Sequence, residues 1–183
     1  MGSRLSAQDW IDFALQTLAR DGFPALKADV LARRLKVSRG SFYWHFAELD
    51  AFHAAVIARW RERATEAIIA DLERHAPDER LEVLLRRAFA HANRLELRMR
   101  GWADANAVAA RAVRHIDRRR CAYIERMLVT AGAARPQAAT RAQLIYWTYL
   151  GAALSGSKLA GGKLERMVAE LKRIGLGGAR RAD

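Results

Sequence analysis

The sequence predicts an all-α protein of about nine helices, three small ones first and longer ones after. Three observations predict it. Apolar residues recur at helical spacing nearly from end to end, and no segment sustains the alternation of a half-buried strand. Proline is rare, at 3 residues, and glycine modest, at 12, so long helices are allowed. Of the 183 residues 51% are apolar, enough for a sizeable core.

Each element has its own signal. Ser6 suits an N-cap, and Asp9 three residues on makes a capping box with a shorter acid than usual. Trp10, Phe13, Ala14, Thr17 and Leu18 form the stripe of the first helix, which Asp21-Gly22 stops. Phe23-Pro24 turns the chain. A short helix over residues 28–35 points Val30, Leu31 and Leu35 inward. Val37 packs in the following turn, and Ser38 caps a third helix that runs to about His45.

A long fourth helix follows, from about Glu48 to about His75, with Leu49, Phe52, Val56, Trp60, Ile68 and Leu72 on its apolar face. Glu48 and Asp50 suit the positive end of its dipole. Ala76-Pro77-Asp78 breaks it. The next helix, about 78–99, carries Leu81, Leu84, Leu85, Ala88, Phe89, Ala92 and Leu95, and Gly101 is expected to interrupt. One or two helices cover 103–131, ending at Gly132, and Pro136 opens another over about 136–157. Gly161-Gly162 reads as a linker. A last amphipathic helix presents Leu164, Met167, Val168, Leu171 and Ile174 on one face, and Gly175 to Asp183 reads as a frayed basic tail.

Charge narrows the function less than its size suggests. The net charge is +12, yet residues 1–50 hold 7 Lys/Arg against 6 Asp/Glu and residues 51–75 hold 4 against 4. The excess falls in 76–135 (13 against 7) and 136–183 (8 against 3). It raises general attraction to polyanions without locating a binding face. No apolar run reaches the roughly 20 residues of a membrane span. The polar start, Met1 to Asp9, is not that of a signal peptide. Cys121 is alone, which excludes an internal disulfide and fits a reducing, cytoplasmic setting.

Residues 31–46, LARRLKVSRGSFYWHF, carry the functional information. They read as the end of one short helix, a turn, and a second helix. Phe42 and Phe46 are four apart and suit burial, while Arg39, Ser41, Tyr43, Trp44 and His45 crowd the other faces. Large aromatics and hydrogen-bond donors on an exposed helical face fit a nucleic-acid groove flanked by phosphates.

This stretch, with the Tyr43-Trp44-His45-Phe46 run as its most specific part, closely resembles the DNA-binding signature of the TetR family of bacterial transcriptional regulators. The resemblance is strong over residues 6–60, including the helix that ends in Asp21-Gly22-Phe23 and the apolar Leu49 or Phe52. Over 61–183 the helix count and lengths are compatible with it. It implies a helix-turn-helix domain over residues 1–50, with a helical effector-binding and dimerisation domain over 51–183. The second helix of the motif would lie in the major groove. Arg39 and Ser41 would then face bases or nearby backbone, with Arg39 suited to guanine. Tyr43 and His45 would contact phosphates, and Trp44 a thymine methyl or sugar edge. Ser38, together with Lys27 and Ala28 at the start of the preceding helix, belongs to the same expected interface, and Gly40 would permit close approach of DNA.

Three positions depart from the family pattern. Lys27 stands where Thr or Ser usually caps the second helix, leaving a cation beside the backbone. Lys36 replaces the usual turn glycine, which predicts a positive φ or an altered turn. Asp50 sits near where many members carry a phosphate-binding lysine.

The resemblance further implies a double-stranded DNA operator, a homodimer and a small-molecule effector, with repression relieved when the effector binds. Trp60, His91, Trp102, Asn106, Tyr123, Tyr146 and Trp147 are the candidate pocket residues, mixing apolar walls with polar tips. The segment 143–157 is apolar around most of its circumference, which suits burial on two sides. The resemblance implies that the last two helices pair with those of a second copy, which makes Leu144, Trp147, Gly151, Leu154, Leu164, Met167 and Leu171 the candidate dimer residues, with a central core helix as the competing explanation. The Arg-rich run 111–120 suits an acidic effector or a solvated face. His91, His115 and Cys121 fit no metal-ligand spacing, and no phosphate loop or nucleophile elbow is present. No metal, cofactor or catalytic residue is expected, so the chain does not read as an enzyme. The alternative is a helical ligand-binding protein or enzyme whose helix-turn-helix no longer reads specific DNA.

Overall fold

The computed structural model describes residues 5–91 and 93–177, and among these every regular element is helical. The order is α1 (Ala7–Asp21), a 3-10 turn (Phe23–Ala25), α2 (Ala28–Leu35), α3 (Arg39–Tyr43), α4 (Leu49–Arg61), α5 (Ala67–Leu72), α6 (Arg80–Phe89), α7 (Arg94–Ala105), α8 (Ala107–Thr130), α9 (Arg135–Leu154) and α10 (Gly161–Leu176). A π-helical segment, Glu62–Glu66, joins α4 to α5. Taken as one interrupted helix they match the expected fourth helix, and the count becomes nine among the described residues.

The described chain falls into two compact units. One gathers the chain up to Ala64 with Arg94–Arg114, and the other gathers Thr65–Asn93 with the chain from His115 onward.

In the first unit the start of α1 is fixed by its capping box. The Asp9 amide donates to Ser6 Oγ at 3.2 Å and the Ser6 amide donates to Asp9 Oδ2 at 2.8 Å. The helix stops where Gly22 takes φ +83°, which a side chain rarely tolerates. Trp10, Ala14 and Leu18 of α1, Leu31 of α2 and Phe52 and Val56 of α4 are all buried, and α1 packs on α4. α7 packs on α1 and on the 3-10 turn. There Trp102 stacks on Phe23, with centroids 4.6 Å apart. Arg59 and Arg63 both donate to Asp12 Oδ1 at 3.1 Å, tying α4 and the π segment to α1. Hydrogen bonding by Arg59 holds the Asp12 carboxyl below its ordinary range.

The second unit has its own core. Leu81, Leu85 and Phe89 of α6 meet Leu128 of α8, Ile145 of α9 and Val168 and Leu171 of α10. Ion pairs hold α10 to α6 outside that core: Lys172 to Glu82 and Arg86 to Glu165, each at 2.5 Å. Gly175 is needed for close approach. A Cβ there would sit 3.1 Å from Leu128 Cδ2 and 3.3 Å from Ile145 Cδ1.

Several boundaries differ from the sequence expectation. The helix expected over 78–99 is two helices. The Phe89 carbonyl, which could have continued the ladder, accepts the Leu159 amide at 2.9 Å instead. Ala92 lies outside the described residues. Gly101 does not interrupt. It sits exposed inside α7, where its helix penalty of about 1 kcal/mol is outweighed by burial of Met99 and Trp102 on either side. Gly161-Gly162 is the first turn of α10 rather than a linker. Gly175 and Leu176 belong to that helix and not to a tail, while 178–183 lie outside the described residues.

Candidate nucleic-acid interface

The interface is built on a five-residue helix that could not stand alone. α3 is held by Phe42, which is completely buried. Its ring meets Trp10 of α1 edge-on at 5.4 Å and Phe52 of α4 edge-on at 5.0 Å. Phe46 adds a further edge contact to Phe52 at 4.9 Å. Each such pair contributes about 0.5–1.5 kcal/mol beyond the area it buries. One apolar residue thus fixes the rotation of α3, and the remaining positions turn outward by helical spacing.

The turn before α3 explains how Lys36 replaces a glycine. Lys36 adopts φ 57°, ψ 38°, the left-handed conformation. Its amide donates to Arg33 and the next amide, on Val37, donates to Ala32, closing α2 with the paired bonds of a Schellman cap. Of the two geometries the sequence allowed, the positive φ is the one adopted. Lys27 occupies the N-cap position of α2 with extended backbone and makes no side-chain cap, leaving its ammonium exposed.

Arg39, Gly40, Tyr43 and Trp44 form the exposed face of α3 and its end, with Ser41 half-buried beside them. Trp44 is 72% exposed and Tyr43 is 44% exposed, high values for such side chains in a free domain. The Arg39 guanidinium donates to Tyr43 Oη at 3.0 Å and lies 5.4 Å from the centre of that ring. That hydrogen bond raises the Arg39 pKa further, so its charge is permanent, and Asp29 of α2 is the acid that feels it.

Three expected contacts sit differently from the sequence expectation. Ser38 lies at the N-cap position of α3 but makes no side-chain cap, because its amide-pairing role is filled by its carbonyl, which accepts from Ser41 at 3.0 Å. Its hydroxyl therefore makes no bond within the helix it precedes. α3 ends at Tyr43 instead of about His45, as the His45 amide tightens onto the Phe42 carbonyl. The His45 ring is half-buried, and its Nε2 meets the Leu5 carbonyl at 2.8 Å. A carbonyl only accepts, so that nitrogen carries the proton. Ala28 points its methyl inward, leaving its main-chain amide in the first turn of α2 as the group it can offer. Asp50 is exposed in the first turn of α4.

A short helix locked by one aromatic, a Schellman turn before it, and an outward Arg/Tyr/Trp face define a helix-turn-helix DNA-binding domain. Residues 11–56 match the family model for bacterial regulatory proteins of the tetR family. The matched segment is a DNA-binding domain of the type found in these transcription regulators. No curated protein matches the chain. No helix among the described residues is long and apolar enough to cross a membrane.

The candidate effector residues divide between the two units. Trp60, Trp102 and Asn106 lie in the first and His91, Tyr123, Tyr146 and Trp147 in the second. Trp60 and Trp102 are core residues, and Asn106 caps α8 by accepting from the Val108 and Ala109 amides. His91 is exposed. Tyr146 is buried and donates to Asp117 Oδ1 at 2.6 Å, while Arg120 reaches both Tyr146 Oη and Thr65 Oγ1. The Tyr123 hydroxyl is buried without a partner, and burial raises its pKa.

The candidate dimer residues divide by face. Leu144, Trp147, Gly151 and Leu154 line one exposed strip of α9, with Trp147 60% exposed, while Ile145, Tyr146 and Ala153 bury. Leu164 and Met167 are half-buried on α10, and Leu171 is buried in the unit's own core, which leaves it no surface to offer.

Sequence reasoning missed several groups. His53 is buried and its Nε2–H donates to the Leu26 carbonyl at 3.0 Å, beside Phe23 and Trp102. Glu96 is completely buried in α7 and pairs with Arg100 at 2.8 Å. Arg34 of α2 pairs with Asp21 at the end of α1. Only the aromatic spacing around His53 could have hinted at its position, since a charge on a helix ordinarily reads as solvated.

Proposed function

We propose that the protein is a homodimeric repressor that binds a palindromic operator and releases it when a small molecule occupies the domain over residues 51–183. The observation that carries the reading is the face of α3. Arg39, Tyr43 and Trp44 point outward from a helix whose rotation Phe42 fixes. In this reading residues 1–50 hold the DNA-binding part, and the protein acts in the cytoplasm.

The apolar strip of α9 supports the dimer. Leu144, Trp147 and Leu154 are exposed at helical spacing, and a second copy would cover the same strip by twofold symmetry. Two recognition helices would then address half-sites about 34–36 Å apart, or a multiple of that. The effector would be recognised by residues such as Tyr123 and Tyr146, which belong to the apolar core, and the half-buried Arg120, which reaches Tyr146 Oη. Release requires a ligand with higher affinity for the conformation that no longer matches the half-sites.

Retention of duplexes from a random pool tests the DNA reading. A thermal-shift screen of small molecules tests the effector reading, since a ligand that binds only the folded state raises the midpoint with occupancy. Turnover of a substrate without sequence-selective binding would favour the enzyme alternative.

A further inference from the structure

We propose that Tyr43 is a positioning residue for Arg39, so that base selection by α3 depends on the pair and not on the arginine alone. The inference rests on the reading of α3 as the recognition helix. Arg39 and Tyr43 are four residues apart on one helical face, the spacing at which side chains meet. The guanidinium donates to Tyr43 Oη at 3.0 Å and lies over the ring at 5.4 Å.

The chemistry of the two groups makes the arrangement compatible with bound DNA. A phenol has one donor and two acceptor sites. It can accept from Arg39 and still give its own proton to a phosphate oxygen. The guanidinium has five donors, and the bond to Tyr43 uses one of them. Enough remain for a two-point contact with the acceptor pair of a guanine. A long exposed side chain held in one place before binding loses less freedom on binding. Tyr43 would therefore act twice, once on the backbone and once on the base through Arg39. Asp29 of α2 acts on Arg39 through its charge, and its ion pair is with Arg33 at 4.0 Å.

The test uses the full chain and a duplex selected by it from a random pool, together with every single-base variant of that duplex. Arg39→Ala, Tyr43→Phe and the double variant are compared with the parent at one salt concentration. Both side chains are exposed, and circular dichroism melts will confirm that all four proteins fold. Arg39→Ala should lower discrimination at one base pair by about tenfold. Tyr43→Phe should weaken binding to every duplex and also lower discrimination at that same base pair, by about threefold or more. The double variant should discriminate no worse than Arg39→Ala alone. Uniform weakening by Tyr43→Phe, beside a loss of preference in Arg39→Ala, would overturn the proposal and leave Tyr43 as a phosphate anchor. A parent that selects no sequence, or an Arg39→Ala variant with unchanged preference, would instead overturn the reading of α3 on which the proposal rests.

Discussion

Trp102 of α7 lies on Phe23 of the 3-10 turn, their ring centroids 4.6 Å apart and their planes within 15°. The His53 ring closes the group, edge-on to Trp102 at 5.3 Å and to Phe23 at 5.2 Å. The segment that leads into the helix-turn-helix thus rests on a helix far along the chain. Trp102→Ala should destabilise the protein by about 3–5 kcal/mol through the cavity it leaves. Urea unfolding followed by circular dichroism measures this, and a change under 1 kcal/mol would show that the stack is not part of the core.

Lys36 pays a conformational cost that glycine would not. At φ 57° its Cβ crowds the backbone, worth about 1–2 kcal/mol for a side chain in that region. Lys36→Gly should therefore raise the urea midpoint, by a gain reduced to about 1 kcal/mol or less because glycine gains freedom when unfolded. A lowered midpoint would contradict the left-handed turn.

Gly40 has room around it. A Cβ there would meet only Ser38 Oγ, at 3.7 Å, an ordinary contact. Gly40→Ala should leave stability unchanged or raise it by up to about 1 kcal/mol from helix propensity. The same change should weaken binding to the selected duplex by about tenfold, because the added methyl occupies the exposed face. Fluorescence anisotropy reads the second effect. Unchanged binding would remove Gly40 from the interface.

Trp147 tests the dimer. At 60% exposure it makes a small contribution to the fold of its own chain. Trp147→Glu should leave helix content intact and shift sedimentation equilibrium from dimer toward monomer, since an unpaired charge would be buried in the contact. A dimer of unchanged strength would place the interface elsewhere.

Much of the fold was legible because its signals are local. The capping box at Ser6-Asp9, the stop at Gly22 and the breaks near Pro77 and Pro136 depend on a few adjacent residues. The same is true of Phe42 and Phe46, whose spacing alone marks them for burial. The failures were non-local. Gly101 continues a helix because tertiary burial of Met99 and Trp102 outweighs its propensity. The break after Phe89 depends on a hydrogen bond from Leu159, seventy positions away. At the candidate interface, residue types indicated the outward face, but not that His45 is engaged by Leu5 or that Arg39 folds onto Tyr43. Those partners follow from rotamers and chain ends, which periodicity does not encode.

The central claim, that α3 reads specific DNA, is tested most directly by incubating the purified protein with a labelled pool of random duplexes at physiological salt and sequencing what is retained. The account predicts a palindromic sequence whose half-sites repeat about 34–36 Å apart or at a multiple of that distance. Retention that falls with salt but shows no preferred sequence would contradict it.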